Sequence, residues 1–275
     1  MKKIVFTLWF MFFGLIGVTC FSPSPVSAFP QNGARPFSEL TFKLALAREQ
    51  VVELEPVPLR LTLVNGTSNP VVGHSVLEFE SGMVHLLVTD QMGNQREIKN
   101  LTLSRSRTAI TEIPLESGFS TQQKEWLTLD LDQIFPFPGS YRLQAVLSNV
   151  EGTQVVYSNV AVLQVAAPTG QDREAYEYIK NFGDRSGSFF VGNLLPGETD
   201  QRDLLTRFAI RFPQSAYSAH AWYLLGVHSF YQQRYDLATE AFNRVTQSSN
   251  PMFEEEVQVY LKKIHQFSAG TTRLN

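Results

Sequence analysis

The chain is 275 residues long, has a formal net charge of −3, and holds a single cysteine, Cys20, within its first 28 residues. With no cysteine beyond that stretch, the rest of the chain has no disulfide framework, Cys-ligated zinc, iron–sulfur cluster or thiol nucleophile, and its mildly acidic balance argues against nucleic acid or anionic lipid as a partner. A content of 43% hydrophobic and 18% charged residues is that of a globular protein, and the length suits one large or two ordinary domains.

Residues 1–28 read as a signal peptide. Lys2-Lys3 form a basic start, Ile4 to Cys20 run without a charge, and Ser22-Pro23-Ser24-Pro25 break any helix. Val26-Ser27-Ala28 then offer small residues for cleavage after Ala28. Two alternatives stay open. The apolar run is at the short limit for an uncleaved anchor. Gly17-Val18-Thr19-Cys20 loosely resembles a lipobox, but Gly17 and Thr19 stand where that motif wants Leu and Gly or Ala. No later run is long enough to span a membrane. The expected location is therefore exported, periplasmic or secreted, with lipid anchoring at Cys20 as the lesser alternative.

From residue 38 the hydrophobic period is two. Leu40, Phe42, Leu44 and Leu46 alternate with Thr41, Lys43, Ala45 and Ala47, and Leu59, Leu61 and Leu63 repeat the pattern up to a turn at Asn65-Gly66. Further strands are expected at 76–80, 84–89, 95–99, 126–131, 141–147 and 155–165, with a turn over Asp90 to Asn94. Spaced strands without helical pattern between them predict an antiparallel sandwich. His74 and His85, the only imidazoles there, read as strand or loop residues. Asp130 and Asp132 are expected on one strand face, without the loop glycine of a calcium site. Arg105-Ser106-Arg107 reads as a solvated turn, and the sequons at Asn65 and Asn100 would mark surface at most. Pro56 and Pro58 suit the start of a strand.

Glu55-Pro56-Val57-Pro58-Leu59, Asn65, Val88-Thr89-Asp90 with Gly93, Pro138-Gly139-Ser140-Tyr141-Arg142-Leu143 and Ser158-Asn159-Val160 together resemble bacterial Ig-like domains over 38–166. Gly139-x-Tyr141-x-Leu143 is similar to the tyrosine corner, which implies a core Tyr ring with its hydroxyl on nearby backbone, and Leu143 where antibody domains place a cysteine.

A short linker, 167–171, contains Pro168-Thr169-Gly170, and beyond it the period becomes 3.6. Helices are expected from 172 to about Gly183 (stripe Ala175, Ile179, Phe182), then from Thr199 or Asp200 to Pro213 (stripe Leu204, Leu205, Phe208). Three more are expected near 216–232, with Ser215 as cap, 235–248 and 252–267. The long loop 184–198, with Phe189-Phe190-Val191, is expected to pack on a neighbour or to move. Trp222-x2-Leu225-Gly226, Tyr235, Ala238 and Phe242 fall at the spacings of a tetratricopeptide repeat (TPR). With the preceding Phe212-Pro213-x-Ser215, the region 172–268 resembles periplasmic repeat proteins such as the Tol–Pal-associated coordinator. Ser229 and Val245 depart from that pattern, and only one repeat matches well. In that family Gly226 and Ala238 imply close helix approach and Phe242 a filled interface.

The resemblance implies a concave face carrying His220, Tyr223, Val227, Phe230 and Tyr231, the candidate partner-binding stripe. The competing reading is that the sandwich or the last helix covers it. His220 and His228, eight apart on a helix, are a poor chelating pair. No nucleophile elbow, zincin helix, phosphate loop or dinucleotide fingerprint occurs. No catalytic, cofactor or metal site is therefore expected. The sequence reads as a two-domain, all-β plus all-α protein: an Ig-like antiparallel β-sandwich followed by a short TPR-like α-helical array. Its expected role is a non-enzymatic protein-interaction or scaffolding module of the cell envelope, with an envelope protein or peptide as partner, or with self-association. The alternatives are a carbohydrate- or cell-wall-binding sandwich, with Trp126 as the exposed aromatic platform, and an accessory domain of a secreted hydrolase.

Overall fold

A computed structural model describes residues 35–99, 110–128, 130–181, 190, 199–248 and 253–271, with backbone alone for 199–200 and 268–271. Ala28 and the rest of the export segment, Arg105 to Arg107, Asn100, Phe182, Gly183, Phe189 and Val191 lie outside the described residues, as do the side chains of Thr199 and Asp200.

Strands occupy the first half and helices the second. One sheet has the order β1 (Thr41–Leu46), β3 (Val57–Val64), β8 (Ser120–Leu127), antiparallel throughout. The other has the order β2 (Gln50–Val52), β10 (Val155–Ala166), β9 (Gly139–Ser148), β5 (Val84–Thr89), β6 (Gln95–Ile98). In it β2 runs parallel to β10 and the remaining pairs are antiparallel. A small ladder joins β4 (Val71–Gly73) to β7 (Ile113–Leu115). Alternation drives both layers: Phe42, Leu44, Leu59, Leu61 and Leu63 from the first sheet share one buried cluster with Leu86, Val88, Leu143, Leu147 and Leu163 from the second.

Side chains finish what the ladders leave open. β10 carries a bulge between Tyr157 and Val160. There the buried Ser158 Oγ accepts from the Ala145 N–H at 2.9 Å, and Asn159 reaches across to β1, accepting from the Leu44 N–H at 3.0 Å and donating to the Leu44 carbonyl at 2.9 Å. The Asn159 amide thus satisfies both main-chain groups of Leu44 on an edge strand. Tyr141 is buried, and its hydroxyl donates to the Phe137 carbonyl at 2.7 Å while accepting from the Phe137 N–H at 3.2 Å. This is the ring-in-core, hydroxyl-on-backbone arrangement expected of Gly139-x-Tyr141. The Asp90–Asn94 turn also forms, with Asp90 Oδ1 accepting from the Met92 and Asn94 N–H groups.

Four local expectations are corrected. Residues 76–80 form no strand: Leu77 and Phe79 are buried singly, and a 3-10 turn at Phe79–Ser81 ends at Gly82 in the left-handed conformation, φ 73°. β8 stops at Leu127, because Asp130 takes φ 50° and opens a one-turn helix α1 (Leu131–Ile134). Asp130 and Asp132 therefore share no strand face, and Asp132 pairs instead with Lys180 at 3.4 Å. Asn65 is fully buried rather than at the surface, its amide donating to the carbonyls of Asn69, Leu115 and Glu116. Ser215 is no helix cap, since its hydroxyl donates back to the Phe212 carbonyl at 3.0 Å and the next helix starts at Ser218.

The helices are α2 (Gly170–Lys180), α3 (Thr199–Arg211), α4 (Ser218–Tyr231), α5 (Tyr235–Gln247) and α6 (Glu254–Thr271). β10 ends at Ala166 and α2 begins at Gly170, so the change of period marks the change of element class. The core is continuous across it: Ala175, Ile179, Leu205, Phe208, Phe212 and Tyr217 belong to the same buried cluster as the sheet residues. The Tyr217 hydroxyl donates to the Glu53 carbonyl at 2.5 Å, and Asp172 Oδ1 accepts from the Ala216 N–H at 2.7 Å. Phe190, alone described from its loop, is buried against Tyr217, Phe208 and His220, so that part of the loop packs down.

Between α4 and α5 the expected close approach is observed. A Cβ at Gly226 would lie 2.5 Å and 2.7 Å from ring atoms of the fully buried Phe242. Gly226→Ala should therefore lower stability by about 1–3 kcal/mol, measured by urea denaturation, and adding Phe242→Leu should recover part of that loss. An alanine variant as stable as the parent would mean that the two helices have room to separate.

Candidate functional site

The stripe on α4 starts deep in the molecule. His220 is buried with its ring against Trp126 of β8, Phe190 and Phe253 at centroid distances of 5.9, 5.0 and 5.2 Å. Removal from water pushes its imidazole down to about 3; the Phe190 main chain acts weakly in the opposite sense and is not placed for a formed hydrogen bond. One turn on, Tyr223 stacks on Phe253 at 4.3 Å, and Phe253 stacks in turn on Trp126 at 4.6 Å. Val227 is buried. Phe230 is half-buried against Tyr260 at 5.0 Å, and Tyr231 is 68% exposed.

Helix α6 is what covers this face. Its buried residues Val257 and Ile264, together with Phe253 just before it, share a cluster with Ala219, Val227, Ala238, Phe242 and Val245 of α4 and α5. The expectation of an open groove is thus corrected at the buried His220 and Val227, while the half-buried Tyr223 lays its ring on Phe253. Only the far end stays open, where Tyr231 and Phe267 (52% exposed) flank Phe230 and Tyr235, and Phe267 stacks on Tyr235 at 5.7 Å. Trp126 fails as a platform for sugar for the same reason, since its face is taken by Phe253. Of the signature residues, Leu225, Gly226, Ala238 and Phe242 are buried, while Trp222 and Tyr235 are half-buried. The Arg244 guanidinium lies over the Trp222 ring at 5.7 Å.

A cleft that no sequence pattern announced lies beside this stripe. The start of α6 meets β3 and β8 on the outer face of the three-stranded sheet and leaves a cavity of about 390 Å³ lined by Arg60, Lys124, Tyr223, Glu255, Tyr260 and Lys263, among others. Arg60 of β3 and Lys124 of β8 point outward because the inward positions of those strands go to the sandwich core. Glu255, 75% exposed, sits 3.9 Å from Arg60 and 3.7 Å from Lys124, while Glu256 pairs closely with Lys124. Burial pushes the Tyr260 hydroxyl up to about 12, helped by its hydrogen bond with Tyr231. A second cavity, about 530 Å³, lies between the β2 segment and α2, and in its wall buried Glu55 accepts from Arg48 at 2.5 Å and from the Val52 N–H at 2.9 Å. Burial raises the Glu55 carboxyl above the usual carboxylate range.

No family model matches the chain, and no curated protein matches it. Among solved structures, a β-glucosidase from Listeria innocua, in complex with glucose, is similar at 15% identity and TM-score 0.29, over 47% of this chain and 16% of the enzyme. An alkylpurine DNA glycosylase from Pseudomonas fluorescens is similar at 14% identity and TM-score 0.32, over 50% of this chain and 33% of that one. A CARDB domain from Pyrococcus furiosus, in complex with di-metal ions, is similar at 12% identity and TM-score 0.25, over 46% of this chain and 87% of the domain. The chain thus spans about a sixth of the glucosidase.

The histidines named by the sequence are not brought into a ligand set. His74 Nε2 lies 2.8 Å from the Ser148 carbonyl and its ring stacks on Phe37, whereas His85 pairs with Glu97 at 2.8 Å. Among the described residues no group of three or more His, Cys, Asp or Glu side chains is placed to hold a metal ion, and no helix is long and apolar enough to cross a membrane.

Proposed function

We propose that the chain is an exported, non-enzymatic interaction module of the cell envelope, built from an Ig-like sandwich and a short TPR-like helical array that is docked rigidly on it. The sheet orders β1-β3-β8 and β2-β10-β9-β5-β6, with β2 parallel to the last strand and the Tyr141 corner, support the Ig-like reading. The Gly226–Phe242 contact supports the TPR-like reading. The pattern of residues 1–28 supports export.

The observation that carries the proposal is the aromatic rim at the open end of the α4 stripe. Tyr231 and Phe267 are large, mostly exposed and adjacent to half-buried aromatics, as anchors for a partner are. The partner is an envelope protein or peptide that lays an apolar side chain between them. Tyr231→Ala with Phe267→Ala should abolish in-cell crosslinking to that partner while leaving the melting temperature almost unchanged, since neither side chain is core. Undiminished crosslinking would sink the proposal. The inner residues Tyr223 and Phe230 are unsuitable for this test, because both pack under α6 and their loss would destabilise the fold.

A further inference from the structure

Three cations from three elements meet at the cleft beneath α6: Arg60 from β3, Lys124 from β8 and Lys263 from α6. Lys124 has a close partner in Glu256. Glu255 is different. It is 75% exposed, stands 3.9 Å from Arg60 and 3.7 Å from Lys124, and so forms no hydrogen bond with either. Its carboxylate hovers over two cations at the mouth of a cavity of about 390 Å³, within the size range of ligand sites. Lys263 brings the third charge, with its ammonium 5.7 Å from the Tyr260 ring. Tyr223 and Tyr260 supply aromatic walls.

We propose that this cleft binds an acidic side chain of an extended peptide segment, and that Glu255 is a built-in stand-in which the incoming carboxylate displaces. This deepens the interaction-module reading and rests on it: the rim at Tyr231 and Phe267 takes an apolar anchor, and the cleft beside it takes the partner's acid. Glu255 releases readily because an exposed ion pair holds weakly. The ligand carboxylate gains from Arg60, which can grip it with two parallel donors, and from the field of Lys263. Charge complementarity favours an acidic segment, because Arg60, Lys124 and Lys263 outnumber Glu255 and Glu256 by one charge, and Glu255 is only loosely held.

The test is fluorescence anisotropy of a short labelled Glu-rich peptide with the purified chain, with the matching Gln-rich peptide as control. The Glu-rich peptide should bind, and more weakly as salt is raised; the Gln-rich one should not. Arg60→Gln and Lys263→Gln should each weaken binding about tenfold. Glu255→Gln should tighten it about threefold at unchanged melting temperature, since it removes the competitor. Equal binding of the two peptides, indifference to Arg60→Gln and Lys263→Gln, or no gain from Glu255→Gln would overturn the proposal. If rim-dependent crosslinking persists while the Glu-rich peptide fails to bind, the cleft inference alone falls. If the peptide binds while crosslinking is indifferent to the rim, the rim reading falls and the cleft stands.

Discussion

Between pH 6.5 and 4.5 the unfolding free energy is expected to stay nearly level, because a buried and a half-buried group pull in opposite directions. His220 is held at about 3 against an ordinary 6.5. Below pH 6.5 the unfolded chain binds a proton that the folded chain refuses, so His220 costs stability as pH falls, about 1.4 kcal/mol per pH unit. Glu125 behaves oppositely. It sits on β8 at an inward-facing position opposite Leu59, and burial raises it from 4.5 to about 7, against hydrogen bonds from Gln123 and the Phe79 N–H. Between pH 7 and 4.5 the folded chain takes up a proton that the unfolded chain does not, so stability rises as pH falls. Its partial exposure makes that slope shallower than the His220 slope, and Glu55, raised by burial, adds in the same sense. Below pH 4.5 Glu125 and Glu55 are protonated in both states, the His220 slope is no longer offset, and stability drops.

The variants separate the two groups. His220→Leu should become more stable on acidification from pH 6.5 to 4.5, and Glu125→Gln should lose stability over the same window. Urea denaturation across pH reads both. A His220→Leu profile parallel to the parent's would show that the imidazole is protonated inside the fold and would refute its burial among Trp126, Phe190 and Phe253.

Phe253→Ala is expected to be the most damaging single truncation, at about 3–5 kcal/mol. Phe253 is fully buried and is stacked on one side by Trp126 and on the other by Tyr223. Each ring pair adds about 0.5–1.5 kcal/mol beyond the area buried. The loss should localise: hydrogen exchange should quicken first in α6, whose start Phe253 ties to Trp126 of the sheet. Phe267→Ala, at the open end of the same helix, should cost far less. Equal losses at the two positions would mean that α6 is held along its whole length and not through Phe253.

Much of the architecture was legible because it is local. Leu59, Leu61 and Leu63 declare a strand by alternation. The close approach at Gly226 and Phe242 is what the resemblance to a tetratricopeptide repeat implies, and the Tyr141 corner is what the Ig-like resemblance implies. The misread elements lack that redundancy. Leu77 and Phe79 alternate like a strand but have no ladder to join. Trp126 to Leu131 alternate past the point where Asp130 turns the backbone left-handed, an outcome that depends on α1 packing down. Asn65 reads as a surface turn because asparagine usually is one, and only the approach of Leu115 and Glu116 adds two distant carbonyl acceptors to the local one at Asn69.

The site divides in the same way. Sequence alone determined that α4 carries an aromatic stripe at helical spacing, and that the stripe was either a groove or a core face. Periodicity cannot choose between these, because it records that a face is apolar and not what lies against it. The tertiary structure decided by bringing Trp126 from a strand and Phe253 from the start of the last helix onto opposite faces of one stack. That stack closes the stripe at His220 and Tyr223 and leaves it open at Tyr231 and Phe267. The same docking set Arg60, Lys124 and Lys263 around one cleft. Charges so far apart in sequence become a site only when two layers meet, since their field is felt over about a Debye length in space and not along the chain.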